Sequence, residues 1–472
     1  MKNNGIIIYL IEINTFYKVM HIKAHIMHSK ETRKSPSFYK FFSYGSKERQ
    51  TTKPSLFFVA IFSSYIYKLS EKRTIALSLL TYNKGIFMYL TVKKEKIIDG
   101  LQKAASFIPS KAGAAYLRSI WLKAEKKDGI DSLIVMSTDA NMEFTGNYPA
   151  EVFEEGVAGV NGKSFVELLR KLPGGDIKLK LDEQTHVLSV EQGKRSYKMP
   201  TVDSVWFTPL PPFPEEGSVL WSGDFFQDLI DKVAFCCSDD ESMEGLSCIY
   251  MKAGDSGRVD ACGLNGHQFA IVRFINDALA ALIPEGGLLL QKKYVGELRK
   301  WLGSDEVLLN ISERRFHVRT GTGDETLSFP RSSNFSYPDY SVFMSRLESG
   351  DISQLDLDRR ETIAALDRLL IFATTGTCFH LNPHSVELSA QGHETGSAAE
   401  QIEQEYGGTL ASITFPTRDL MDILGHFQSS TIHYVFTGAE GPCGITGSDD
   451  ADYTVILMPM KVAESAYYTE EE

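Results

Sequence analysis

The segment "IIDGLQKAASF" (residues 97–107) occurs three times in this chain in altered form. It returns as "FFQDLIDKVAF" (225–235) and "TIAALDRLLIF" (362–372), and each copy has leucine at its fifth position and phenylalanine at its eleventh. Apolar residues at this spacing lie on one side of a helix, so the pattern predicts one amphipathic helix seen three times. The matched residues are Leu101, Leu229 and Leu366, and Phe107, Phe235 and Phe372.

A second helix recurs behind the first, as "KSFVELLRKL" (163–172), "KKYVGELRKWL" (292–302) and "RDLMDILGHF" (418–427). Alternating apolar and polar residues follow each copy and predict strands, and each set of strands stops at a proline, Pro200, Pro330 or Pro459. A repeat of this kind predicts three tandem α+β units, each with two helices packed on antiparallel sheet.

We therefore divide the chain at the joints "PLPPFPEEG" and "SRLESGD". The predicted segments are an N-terminal extension (1–87), three domains (88–213, 214–345 and 346–462) and an acidic tail (463–472).

The extension differs from the rest of the chain in charge. It holds 14 Lys and Arg against 4 Asp and Glu, although the whole chain of 472 residues has a net charge of −12. Its apolar runs are shorter than the roughly 20 residues that a membrane span needs, and Glu12 interrupts the one candidate core of a signal peptide. We expect a poorly ordered segment, with Met88 opening the fold. Six cysteines without a CxxC pair favour a cytoplasmic protein.

Four motifs, "TDANMEF", "NGHQFA", "YPDY" and "ILMPMKV", resemble the bacterial DNA polymerase III beta subunit family, the sliding clamps, in order and spacing. The resemblance covers residues 88–462. It implies that two chains close head to tail into a ring around double-stranded DNA without sequence specificity. It also implies a non-catalytic protein with no cofactor, which tethers the DNA polymerase III alpha subunit, the clamp loader and other proteins with clamp-binding motifs.

The charge of the chain is compatible with such a ring. Affinity for DNA comes chiefly from basic groups, so an acidic body is a poor tight binder, whereas a closed ring retains DNA by topology. The repeated helices carry basic residues that we expect to face DNA, and phosphate contacts of this kind carry no sequence information. These residues are Lys163, Arg170, Lys292, Lys293, Arg299, Arg359 and Arg360. The resemblance adds Lys111, Ser242 and Met243.

The resemblance also implies an apolar groove for partner peptides between the second and third domains. Its residues here would be Leu246, Leu264, Gly266, His267, Phe269, Pro338, Phe343, Ile456, Leu457, Met458, Pro459 and Met460. Methionine suits a groove that accepts several partners, because its side chain repacks easily. The alternative is a purely structural role, in which Pro459 ends a strand and its flanking methionines fill a gap in the core. Gln268, Leu264, Val342 and Asp419 depart from the better-known members of the family, so the groove is expected to be less basic.

The resemblance places Ile371 and Phe372 at the dimer seam, with Tyr197 opposite. Open strand edges must be paired or covered, and head-to-tail pairing between chains closes a ring when the rotation closes. A different class of function, a metal-dependent hydrolase using Cys378, His380 and His384, is the alternative, but Pro383 interrupts that segment and zinc ligands need a rigid frame. We predict no metal site.

Overall fold

A computed structural model describes residues 88–109, 113–182, 185–333, 335–348, 352–372, 376–392 and 394–461. All of these lie in one of the two units into which the chain divides, Gly85–Glu472. The predicted extension, Lys111 and the predicted acidic tail lie outside the described residues. None of the helices described here is long and apolar enough to cross a membrane.

The first copy begins with a strand and ends at the strand that contains Pro200. Its elements are β1 (Tyr89–Lys93), α1 (Lys94–Ser106), β2 (Ser119–Lys127), β3 (Ile130–Thr138), β4 (Glu143–Pro149), β5 (Glu151–Glu154), β6 (Gly156–Asn161), α2 (Gly162–Lys171), β7 (Asp176–Asp182), β8 (Val187–Gln192) and β9 (Arg195–Val202). A short 3-10 turn, Ser204–Trp206, follows.

The second copy repeats this order with a short helix in place of the short strand β5. Its elements are β10 (Val219–Ser222), α3 (Gly223–Ala234), a 3-10 segment (Glu241–Ser247), β11 (Cys248–Ala253), β12 (Arg258–Leu264), β13 (Gln268–Ile275), α4 (Asp277–Leu282), β14 (Leu288–Gln291), α5 (Lys292–Trp301), β15 (Glu306–Ile311), β16 (Arg315–Thr320) and β17 (Glu325–Pro330). A short turn, Asp255–Gly257, precedes β12.

A linker helix, α6 (Ser341–Glu348), leads to the third copy. That copy contains β18 (Ser353–Asp358), α7 (Arg359–Leu369), β19 (Thr377–Asn382), β20 (Ser385–Gly392), β21 (Gly396–Glu403), β22 (Ser412–Phe415), α8 (Thr417–Gly425), β23 (Thr431–Phe436), β24 (Cys443–Gly447) and β25 (Asp450–Leu457). The predicted α+β class is confirmed, because helices pack on antiparallel sheets throughout the described residues.

The first helix of each copy buries the same positions when residues are counted from its N-cap. The buried sets are Ile97, Gly100, Leu101 and Ala104; Phe226, Leu229, Ile230 and Val233; and Thr362, Ala365, Leu366 and Leu369. Leu101 therefore corresponds to Ile230, and the sequence-based match to Leu229 was one residue out of register. The error has a physical origin, since Leu229 and Ile230 are neighbouring apolar residues that both enter the core.

The sheets continue from one copy to the next, because strands of neighbouring copies pair at both internal junctions. β4 of the first copy pairs with β17 of the second, and β13 of the second pairs with β25 of the third, both antiparallel. These pairings build sheets of thirteen and eight strands, beside a four-stranded sheet in the third copy. The corner before β4 and β13 is an Asx turn, in which Asp139 Oδ1 and Asn265 Oδ1 each accept two backbone N–H groups.

Two apolar clusters fill the described part of the chain. The larger cluster runs through all three copies, between the helix pairs and the inner faces of the sheets. The smaller one lies where the second and third copies meet, around Tyr250, Leu264, Phe269 and Ile456, under the segment that leads to α6. We call it the linker cluster.

Candidate partner groove, strand edges and nucleic-acid face

The linker cluster brings together five of the residues predicted for the partner groove. Leu264, Phe269 and Ile456 are buried in it, and Leu246 and Phe343 pack against it half-buried. The pairing of β13 with β25 sets Phe269 directly opposite Ile456, so residues far apart in sequence share one apolar floor. Leu457 was also predicted for the groove but does not belong to this floor. Side chains alternate along a strand, so that of Leu457 points into the larger cluster, where it is fully buried.

The second wall of this surface is aromatic and comes from the "YPDY" motif. Tyr340 stacks on Phe269 with ring centroids 5.6 Å apart, and Tyr337 stacks on Tyr250 at 4.5 Å. Tyr340 also donates its hydroxyl hydrogen to Asp260 at 2.9 Å. Burial raises the pKa of the Tyr340 hydroxyl above its usual value, so the ring stays neutral. Sequence reasoning used this motif for the resemblance but assigned neither tyrosine to the groove.

The Met-Pro-Met segment lies along the rim of the cluster. The backbone N–H of Met458 donates to the carbonyl of His267 at 2.9 Å, which fixes the two predicted groove segments side by side. Gly266 precedes it with φ +95°, a conformation that glycine adopts without strain. Met458 is 37% exposed, so the core-filling alternative does not describe this side chain. Pro338 is exposed beside the aromatic wall, and Pro459 and Met460 are half-buried.

Among the described strands, β21 leaves one edge unpaired and β9 leaves most of one edge unpaired, at opposite ends of the series of copies. β21 pairs only with β20 among the described strands, although its counterparts β4 and β13 each pair with the next copy. β9, the counterpart of β17 and β25, pairs with β8 and touches β6 over two residues. Its side chains are exposed or half-buried, whereas most of those on β17 are buried.

A cation at one position of the first helix marks each internal junction. Lys103 forms an ion pair with Glu325 of the next copy at 2.7 Å and lies over the Trp301 ring. Lys232 reaches Asp450 of the next copy at 3.8 Å. The third residue of this series, Arg368, instead binds Glu400 of its own copy through two hydrogen bonds.

The residues predicted for the dimer seam lie near the open edges. Ile371 is 69% exposed at the end of α7, and Phe372 packs half-buried against the larger cluster. Tyr197 lies on the open strand β9 and is also half-buried.

The basic residues predicted to face DNA divide into paired and unpaired groups. In the second copy, Lys292 binds Asp239 at 2.7 Å and Lys293 binds Glu241 at 2.6 Å. Arg299 binds Asp231 through two hydrogen bonds. The hydrogen bond to Glu241 raises the pKa of Lys293, so this ammonium is held charged but paired.

The other two copies leave most of these cations without a carboxylate. Within the described part of the chain, Lys163, Arg170 and Arg360 are exposed and form no ion pair, and Arg359 donates to the backbone carbonyl of Ser429 at 2.7 Å. Ser242 and Met243 lie in the 3-10 segment after α3, where Asp240 caps Ser242 and the Met243 side chain is 47% exposed. Among the predicted residues, those of the first copy are therefore unpaired and those of the second copy are ion-paired.

Comparison with known proteins agrees with this architecture. The family profile of the DNA polymerase III beta subunit N-terminal domain matches residues 88–211, and that of its C-terminal domain matches residues 351–461. The beta sliding clamp of Caulobacter vibrioides is 24% identical over 390 residues, which cover 79% of this chain and 100% of the relative. The chain belongs to the DNA polymerase III beta subunit family, the beta sliding clamps. The clamp of Pseudomonas aeruginosa is 21% identical over 382 residues.

Solved structures of beta sliding clamps share the fold. The DNA polymerase sliding clamp of Caulobacter crescentus has a TM-score of 0.71 at 24% identity, and the alignment covers 79% of this chain and all of that one. The clamp of Bacillus subtilis gives a TM-score of 0.71 at 20% identity, covering 80% of this chain and all of that one.

The alternative hydrolase site does not assemble in this clamp. His380 is hydrogen-bonded to Ser389 at 3.0 Å, and the exposed His384 to Glu405 at 2.9 Å. Cys378 lines a cavity to which neither histidine contributes. Among the described residues, no group of three His, Cys, Asp or Glu side chains is placed to hold a metal ion.

Proposed function

We propose that two copies of this chain close head to tail into a ring around double-stranded DNA, and that the ring acts as a non-catalytic processivity factor. The observation that carries the proposal is the pairing rule at the junctions. The fourth strand of one copy pairs with the last strand of the next at both internal junctions, and β21 and β9 are the two strands left to follow that rule. A contact between these strands is heterologous, so it closes a ring when the rotation closes.

Charge supports the pairing of these two edges. β9 carries Arg195 and Lys198, and β21 carries Glu403 as well as Glu400, which Arg368 of its own copy already binds. Opposite charges on neighbouring strands stabilise the pair, whereas β21 facing another β21 would place carboxylates against carboxylates. Together with the exposed Ile371, the two edges offer a seam with an apolar part and complementary charged strands.

The ring would hold DNA mainly by enclosure. The helix pairs would face the hole and offer the basic residues described above to phosphate groups, which allows sliding because such contacts read no sequence. Lys163, Arg170, Arg359 and Arg360 are the cations best placed for this role, since no carboxylate binds them in the described part of the chain. We assign a smaller role to Lys292, Lys293 and Arg299.

The linker cluster would be the floor of the partner groove. An extended peptide with two or three apolar anchors could lay them on Leu264, Phe269 and Ile456, with Met458 and the tyrosine wall at the sides. The expected partners are the DNA polymerase III alpha subunit, the clamp loader and other proteins with a clamp-binding motif, all in the cytoplasm. No cofactor is needed for this role.

The decisive experiment compares DNA topologies. Protein assembled on closed circular DNA should be retained during gel filtration and should be released once the circle is cut at one site. Sedimentation at micromolar concentration should give twice the chain mass. Equal retention on linear DNA with free ends would refute enclosure and favour ordinary electrostatic binding.

A further inference from the structure

Aromatic residues that follow the closing proline cover the outer face of the sheet in the first copy. β9 passes Pro200 and pairs Thr201 with Val160 of β6. The chain then turns back, so that Trp206 stacks on Tyr116 with centroids 5.7 Å apart. The next residue, Phe207, packs against Trp121 at 5.5 Å, and the outer face of β2 is thereby covered.

The second copy repeats this arrangement. After Pro330, the N–H of Ser332 donates to the carbonyl of Leu289 at 3.0 Å, which is the equivalent return contact. The chain turns back again, and Tyr337 and Tyr340 stack on Tyr250 and Phe269 of the outer face.

The third copy has the return contact, but its outer face holds a cavity. The N–H of Met460 donates to the carbonyl of Thr414 at 2.8 Å, one residue after Pro459. Beside this contact lies a cavity of about 630 Å³, lined by Cys378, Ser389, Ala390, Ala398, Thr414 and Met460 among others. The Thr414 hydroxyl oxygen is buried there without a hydrogen-bond partner among the described residues.

We propose that the segment 462–472 covers this cavity with Tyr467 and Tyr468. The sequence after Lys461, "VAESAYYTEEE", offers an aromatic pair seven and eight residues after Met460, within the span of five to eight residues at which Trp206, Tyr337 and Tyr340 follow their own return contacts. A tyrosine suits this lining, because its ring packs on Ala390 and Met460 while its hydroxyl faces polar lining residues such as Ser397. The cavity volume falls in the range of about 300–1,000 Å³ that proteins use to enclose drug-sized groups, which leaves room for two tyrosine side chains.

The proposal concerns contacts within one chain and does not depend on the proposed ring. Met460 is shared, since it lines the cavity and also belongs to the segment that borders the groove. A tail docked in the cavity would therefore hold one side of the groove rim in place.

Cysteine chemistry gives a direct test on the full chain. Cys378 lines the cavity and is the half-exposed thiol, whereas the other five cysteines are buried. Its reaction with a disulfide reagent such as DTNB should be slow in the parent chain. In the Tyr467→Ala/Tyr468→Ala variant it should be about tenfold faster, because the cover is lost and protection of this kind reports local opening. A Cys378→Ser variant identifies the reacting thiol.

Three further double variants complete the test. Glu470→Gln/Glu471→Gln alters the same segment without touching the tyrosines and should leave the rate unchanged, and Tyr467→Phe/Tyr468→Phe keeps the rings and should retain most of the protection. Equal rates in the parent and the alanine variant would overturn the proposal. So would faster labelling in Val205→Ala/Trp206→Ala alone, because that result would assign the cavity to these exposed side chains, contributed by a second copy.

Discussion

At the residue scale, Met458 and Met460 decide between a groove and a core. Met458 is 37% exposed, so its side chain is available to a partner. Replacing both methionines with alanine should weaken binding of a polymerase-derived peptide by about 2–4 kcal/mol, the range for central interface anchors. Fluorescence anisotropy with a labelled peptide measures this change. Met243→Ala removes another exposed methionine and should leave affinity unchanged. An unfolded double variant with unchanged affinity per folded molecule would restore the core-filling alternative.

His317 makes a second prediction at this scale. Burial, and then the nearby charge of Arg315, lower the pKa of its imidazole to about 4. The unfolded chain, with a histidine pKa near about 6.5, takes up a proton that the fold excludes. The stability due to the neutral ring is therefore complete above about pH 6.5 and is lost as the pH falls toward 4.

Thermal unfolding followed by circular dichroism tests this expectation. The melting temperature of the parent chain should fall between about pH 7 and pH 5, and His317→Gln should fall less over the same interval. His384→Gln changes an exposed histidine and should behave like the parent. Parallel curves for all three proteins would contradict the assignment.

At the element scale, the end of α7 and the open strands make the dimer seam testable. Ile371→Ala/Phe372→Ala should shift the sedimentation equilibrium toward monomer, since each truncation costs roughly 2–5 kcal/mol if the side chain is buried in the contact. Ile130→Ala is a matched control, because that isoleucine is 70% exposed against 69% for Ile371 and lies on β3. A double variant that keeps the full dimer mass would show that the seam lies elsewhere.

The elements also show what the sequence could and could not predict. The repeated helices, the closing prolines and the groove strands were identifiable, because each has a periodicity or motif of its own. The register of α3 was not, because Leu229 and Ile230 both suit a buried position. The tyrosine wall was missed as well, since stacking on Tyr250 and Phe269 depends on how the linker folds back. The ion pairs of Lys292 and Lys293 depend on the approach of an acidic segment some fifty residues away.

At the scale of the whole molecule, charge predicts unequal contributions to DNA binding. Lys163→Gln/Arg170→Gln removes two cations that have no carboxylate partner in the described part of the chain, and it should reduce retention on circular DNA at raised salt. Lys292→Gln/Arg299→Gln removes two paired cations and should have a smaller effect, because their carboxylates already offset them. The slope of log affinity against log salt should fall by about 0.9 per lost phosphate contact in the first variant. Equal losses in both would show that DNA displaces the carboxylates.

The pairing of strands across both internal junctions has a mechanical consequence. Stretching the chain at either junction would break a row of backbone hydrogen bonds along with the Lys103 or Lys232 contacts, so each half of the proposed ring would be stiff. Under load, the proposed ring would then deform mainly at the two contacts between its chains. A protein that places such a ring on DNA without free ends would need to open only one of these two contacts. The stiff halves would then favour its closure.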